Sequence, residues 1–161
     1  TRYHRLKGIC SELLLTLGHN QAAFTLSAEH LFCEGLMESA HREPGALHAR
    51  LEDTLRRHGT QKSTDSMPLA TACFLWLEKQ HRLSEILALG LTNVALLETF
   101  LETRPQLAWM HHLRSGNFEN ATITAAEHAS RVPQVATATT LLSIAKLSGK
   151  LATDQSSTTV F

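Results

Sequence analysis

Along nearly the whole chain apolar residues return every third or fourth position, and no stretch keeps the two-residue alternation of a strand, so the pattern predicts an all-α protein. Tyr3 to Leu17 gathers Leu6, Ile9, Cys10, Leu13, Leu14 and Leu17 on one face, the face an amphipathic helix turns toward a core. Gly18 is placed to stop it. Asn20 is positioned to cap a second helix carrying Ala23, Phe24, Leu26 and Ala28, with a bend near His30 before Leu31, Phe32, Gly35, Leu36 and Ala40 continue the stripe. Pro44 suits a first helical position. The helix it opens has Leu47, Leu51 and Leu55 at four-residue steps and Arg56, Arg57 and His58 in its last turn, where the helix dipole favours cations.

Gly59 to Ser66 contains turn-forming residues and no aliphatic side chain, and reads as a loop. It divides one helical domain, 1–161, into a first helical group at 1–58 and a second at 67–152, with a polar tail at 153–161. Met67 to Gln80 is apolar over more than one face, so it is either central in the stack or meets a partner. Leu69, Cys73, Phe74 and Trp76 are the candidate partner-binding residues on that helix. Shorter helices are expected at Leu83 to Leu89, Thr92 to Glu102, Gln106 to Arg114, Asn117 to Ala129 and Gln134 to about Leu151, with Gly90, Gly116, Pro105 and Pro133 as punctuation. About ten short helices joined by tight turns describe an irregular α-solenoid or helical stack better than a four-helix bundle. Leu113, Gly116, Phe118 and Ala121 mark a corner between two antiparallel helices, and Leu14, Gly18 and Ala23 form a looser version.

Composition narrows the functional classes. Lys+Arg (15) balances Asp+Glu (15), and basic residues are scattered, which argues against a nucleic-acid surface. Cys10, Cys33 and Cys73 are odd in number, far apart and set in apolar helical patterns, so they read as small buried residues in a reducing compartment. No apolar run reaches a membrane span and no signal peptide is visible, so a soluble intracellular protein is expected. The start at Thr1 and the polar tail suggest an excised portion of a longer chain.

Candidate chemistry is sparse. His111 and His112 are adjacent, so on a helix they diverge by about 100° and do not share one metal ion. There is no HExxH, phosphate-binding glycine loop or nucleophile elbow. No catalytic, cofactor-binding, metal-binding or small-molecule residues are assigned. The spacings Arg42 to His48 and Arg104 to His111 are similar to the Arg/His pairs of helical nucleases of the HEPN class, but Pro44 and Pro105 split each pair across a helix start.

Three segments carry a resemblance to a known family: Cys73 to Leu87, Leu107 to Ala121, and Thr140 to Ala152. An aromatic-rich helix ending Leu77-Glu78-Lys79, then Leu107-Ala-Trp109-Met-His111 before a short turn, then Thr140-Leu-Leu-Ser-Ile-Ala-Lys-Leu resembles the carboxyl-terminal helical domain of the nucleoporin-133 family. The likeness spans roughly residues 67 to 152. It implies a non-enzymatic scaffold of the nuclear pore's Y-shaped complex at the nuclear envelope, supporting transport of mRNA and protein. Its implied partner is a helical scaffold of the nucleoporin-107 family, joined tail to tail. The β-propeller of that family has no counterpart here, so lipid contact is not expected. The alternative is a helical-repeat adaptor of another membrane coat or trafficking complex, which shares the fold physics and differs in partner.

Overall fold

The computed structural model describes the backbone of residues 2–158 and the side chains of 5–154. The protein is all-α: among the described residues there are ten α-helices and no strand, with 80% of the chain helical. In order they are α1 (Arg2–Thr16), α2 (Asn20–Glu29), α3 (Cys33–Arg42), α4 (Pro44–His58), α5 (Leu69–Lys79), α6 (Leu83–Leu89), α7 (Val94–Leu101), α8 (Pro105–Arg114), α9 (Phe118–Arg131) and α10 (Val135–Thr158). A 3-10 turn, Gly90–Thr92, precedes α7. Two compact units divide the chain, 1–97 and 98–161, with the boundary inside α7.

That boundary differs from the division expected at Gly59 to Ser66, and backbone pairing explains why. The Ser63 N–H donates to the Met67 carbonyl at 2.7 Å, the Leu69 N–H to Gln61 at 2.9 Å, and the Ala70 N–H to Gly59 at 3.0 Å. Lys62 and Pro68 form an isolated bridge. The loop is a closed hairpin that binds α4 to α5 and lies inside the first unit. Asn93 reinforces the same end of α4, donating from Nδ2 at 2.8 Å to the Leu55 carbonyl, which also accepts the Gly59 N–H.

In the first unit each helix packs on its chain neighbours, and α3 also meets α1 and α5. The core contains Phe24, Leu36, Leu47, Leu51, Leu55, Leu69, Cys73, Phe74, Leu77 and Ile86. Leu47, Leu51 and Leu55 form the inward ladder that their spacing predicts. In the second unit α9 lies between α8 and α10, which it meets through small residues: Ala121, Ala125 and Ala129 are buried. The tail expected from residue 153 is helical to Thr158, as the last turn of α10.

Helix ends repeat one device. At Gly116, with φ +73°, the Gly116 N–H donates to Leu113 and the Asn117 N–H to His112, a Schellman closure. The Asn117 side chain then caps α9 by accepting from the Asn120 N–H at 3.2 Å. Gly18, at φ +79°, closes α1 by the same pair of bonds to Leu15 and Leu14. Leu31 (φ 51°) and His81 (φ 58°) close α2 and α5 identically without glycine. Leu31 thus separates α2 from α3 where a bend was expected. Asn20 does not cap: it is the first residue of α2, after His19, and its Oδ1 is buried without a hydrogen-bond partner.

Candidate partner-docking surface

Three of the four residues chosen from the sequence as a partner surface belong to the core. Leu69, Cys73 and Phe74 are fully buried and Trp76 is half-buried. The reason is packing: α5 lies against α3, α4 and α6, so its wide apolar circumference is consumed inside the first unit. Of the two readings of Met67 to Gln80, the central-helix reading holds for these three residues.

In the first unit an exposed apolar stripe lies instead on α1 and the residue that follows it. Leu6 (58% exposed), Ile9 (47%), Leu13 (56%) and Leu17 (70%) face solvent, and Cys10 is exposed beside them. The expected inward face is therefore turned outward. The edge facing α2 and α3 combines two small residues with one leucine: Ser11 and Leu15 are buried and Gly8 is half-buried. Ser11 Oγ and Ser27 Oγ lie 2.9 Å apart in a buried hydroxyl pair. Gly35 of α3 completes the junction, since a Cβ there would fall 2.2 Å from Ser27 Oγ and 2.6 Å from Ser11 Oγ. Three backbones approach closely around this node, and no leucine fits between them. Helix α1 thus packs through a narrow edge of Ser11 and Leu15 and leaves Leu6, Ile9 and Leu13 uncovered.

A groove of about 610 Å³ runs along one flank of that apolar arc, between α1 and α3, and shares Ile9 with it. Leu15, Phe32, Gly8 and Gly35 contribute its apolar lining, and Thr64 and Asp65 stand at its margin. Arg42 spans the wall: its Nε pairs with Glu38 at 3.0 Å and its NH1 donates to the Leu15 carbonyl at 2.7 Å.

The two Arg/His spacings are placed as follows. Arg42 lines this groove, whereas His48 lies on a separate cleft of about 150 Å³ and pairs with Glu52 at 3.5 Å, so the two are not brought together. In that smaller cleft the Arg82 guanidinium is engaged by His41 and by Glu85, the latter at 2.6 Å. Arg104 stacks 3.8 Å from the Phe100 ring centroid and donates to the Phe100 carbonyl at 3.1 Å, while His111 is buried. The His111 and His112 rings are 5.7 Å apart and tilted. Burial, and then the neighbouring His111, hold the His112 imidazole below its ordinary value, opposed by Glu98. Among the described residues no three His, Cys, Asp or Glu side chains gather to hold a metal ion. No helix among them is long and apolar enough to cross a membrane.

Two features escaped the sequence pattern. Cys33 and Cys73, forty positions apart, meet in the core with Sγ atoms 3.5 Å apart. Contact with the Cys33 thiol, and then burial, push the Cys73 thiol well above its ordinary value. Cys10, expected to be buried like them, is exposed on the α1 arc. No protein-family model, no curated protein and no solved structure matches the chain.

Proposed function

We propose that the protein is a non-enzymatic helical scaffold that docks another α-helical protein along the outward face of α1. The observation that carries this reading is the arc of Leu6, Ile9, Leu13 and Leu17, four large aliphatic side chains on one solvent-facing stripe. Their spacing, three, four and four residues, is that of a helix seeking a second helix. Covering four side chains that are about half exposed contributes roughly 4 kcal/mol before association costs are subtracted. A stable complex therefore needs contacts beyond the arc itself.

The resemblance of residues 73–87, 107–121 and 140–152 to the nucleoporin-133 family supplies the proposed setting: assembly of the nuclear pore at the nuclear envelope, beside a scaffold of the nucleoporin-107 family. The all-α architecture is compatible with that setting. The test is calorimetry of the chain with the helical tail of a nucleoporin-107 family protein. A complex at micromolar concentration is expected, lost in the double variant Ile9→Asp/Leu13→Asp while the helical circular dichroism is unchanged. No heat of binding at roughly tens of micromolar from folded protein would remove the pore assignment.

A further inference from the structure

The groove between α1 and α3 is not electrically neutral, although the chain as a whole is. Glu12 on α1, Glu34 and Glu38 on α3, and Asp65 on the loop between α4 and α5 line it, against Arg5 and Arg42. Arg42 is already satisfied by Glu38 and by the Leu15 carbonyl. Glu12, Glu34 and Asp65 therefore stand around an apolar floor, opposed by Arg5 on α1. Both walls carry acid, so a segment lying between them meets negative charge on either side. Gly8 adds no side chain to the floor, and Phe32 and Ile9 provide apolar contact.

We propose that this groove receives a basic amphipathic helix of the partner protein, its apolar stripe laid on Ile9, Leu15 and Phe32 and its Lys or Arg residues set against Glu12, Glu34 and Asp65. This rests on the docking reading above and specifies the chemistry of the docked segment. Helix α1 has 15 residues, about 22 Å, so the complementary segment spans about four turns. The apolar contact supplies most of the affinity, and the acids select the sign of the partner and speed encounter. An acidic helix with the same apolar stripe would bring like charges together at both walls and be rejected.

The test uses the 161-residue chain and two fluorescent synthetic helical peptides with the same leucine stripe, one with lysine and one with glutamate on the flanking positions. Anisotropy titration at low salt should show the lysine peptide binding at least tenfold more tightly than the glutamate peptide. Neutralising three exposed acids, in Glu12→Gln/Glu34→Gln/Asp65→Asn, should weaken the lysine peptide by about tenfold and flatten its salt dependence, with thermal stability unchanged. Equal binding of the two peptides, binding of neither, or no response to the triple variant would overturn the proposal. A dimer in sedimentation that competes with the peptide and is lost in Ile9→Asp would also overturn it, by making a second copy the occupant. If the helical partner protein binds through Ile9 and Leu13 while the triple variant has no effect, the docking reading stands and the basic-helix inference falls. If the lysine peptide binds and the nucleoporin-107 tail does not, the basic-helix inference stands and the pore assignment falls.

Discussion

Helices α1 and α4 are each 15 residues long, rich in leucine and members of the same compact unit, yet they use their leucines in opposite ways. In α4 the Leu47, Leu51 and Leu55 ladder is buried, and the outer face is polar, with His48, Arg56 and Arg57 exposed. In α1 the leucine-bearing arc faces out and the buried edge is Ser11 and Leu15. The difference comes from what each helix meets. Helix α4 packs against α2, α3 and α5, whose buried side chains include Phe24, Leu36 and Phe74. Helix α1 meets α2 and α3 at Ser27 and Gly35, where only a small residue allows contact. A hydrophobic stripe establishes that a helix has something to bury; the depth of the opposing surface decides whether that happens within the chain or in a complex.

The sharpest way to break the comparison is to shorten one leucine on each helix. Leu51→Ala removes a buried side chain from the α4 ladder and should cost about 3 kcal/mol through lost burial and the cavity left behind. Leu13→Ala, at 56% exposure, should change stability by no more than about 0.5 kcal/mol. Urea unfolding followed by circular dichroism measures both. Equal losses would mean that the α1 arc is internal in solution and that no docking face exists there.

The next effect tests why α1 turned its leucines out. Gly35→Ala places a methyl group 2.2 Å from Ser27 Oγ and 2.6 Å from Ser11 Oγ, inside a buried junction. Stability should fall by about 2 kcal/mol, because α1 must move away from α3 or the hydroxyl pair must separate. Adding Ser27→Ala removes the nearest clashing atom and should recover part of the loss. A neutral Gly35→Ala variant would show that the three backbones are less tightly joined than the Ser11 to Ser27 contact implies.

The fold was legible wherever one periodic signal decided the outcome. Pro44, Gly18 and Gly116 marked ends that the backbone respects, and the α4 ladder lies inward as its spacing indicates. Legibility failed where two signals competed. Leu31 and His81 adopt the left-handed conformation although a β-carbon makes it unfavourable by about 1 kcal/mol, so these two corners carry no residue-type mark. Three of the docking candidates lie in the core for a related reason. Leu69, Cys73 and Phe74 show a surplus of apolar circumference, but only tertiary packing reveals that three neighbouring helices absorb it. On α1 the informative residues were Gly8 and Ser11, whose smallness sets the contact edge while the leucine stripe suggests the opposite orientation. The acid-lined groove needs Asp65 beside Glu12 and Glu34, a juxtaposition that no local window of sequence contains.

The smallest effect on stability, and the most direct readout of the α1 orientation, comes from the cysteines. Cys10 lies on the outward arc, whereas Cys33 and Cys73 face each other in the core. The Cys73 thiol, pushed up by its contact with Cys33 and by burial, stays protonated at neutral pH, and only the thiolate attacks a disulfide reagent. Native protein should therefore release one equivalent of thionitrobenzoate rapidly at pH 8, and three after denaturation. Cys10→Ser should abolish the fast equivalent and leave the unfolding midpoint unchanged within error. A helical partner on the arc should slow the reaction of Cys10 in proportion to occupancy, without touching the other two thiols. Fast reaction of all three in the native state would mean that the α3 to α5 core opens readily. Protection of Cys10 in the free protein would mean that α1 keeps its leucines inward, and the contrast with α4 would disappear.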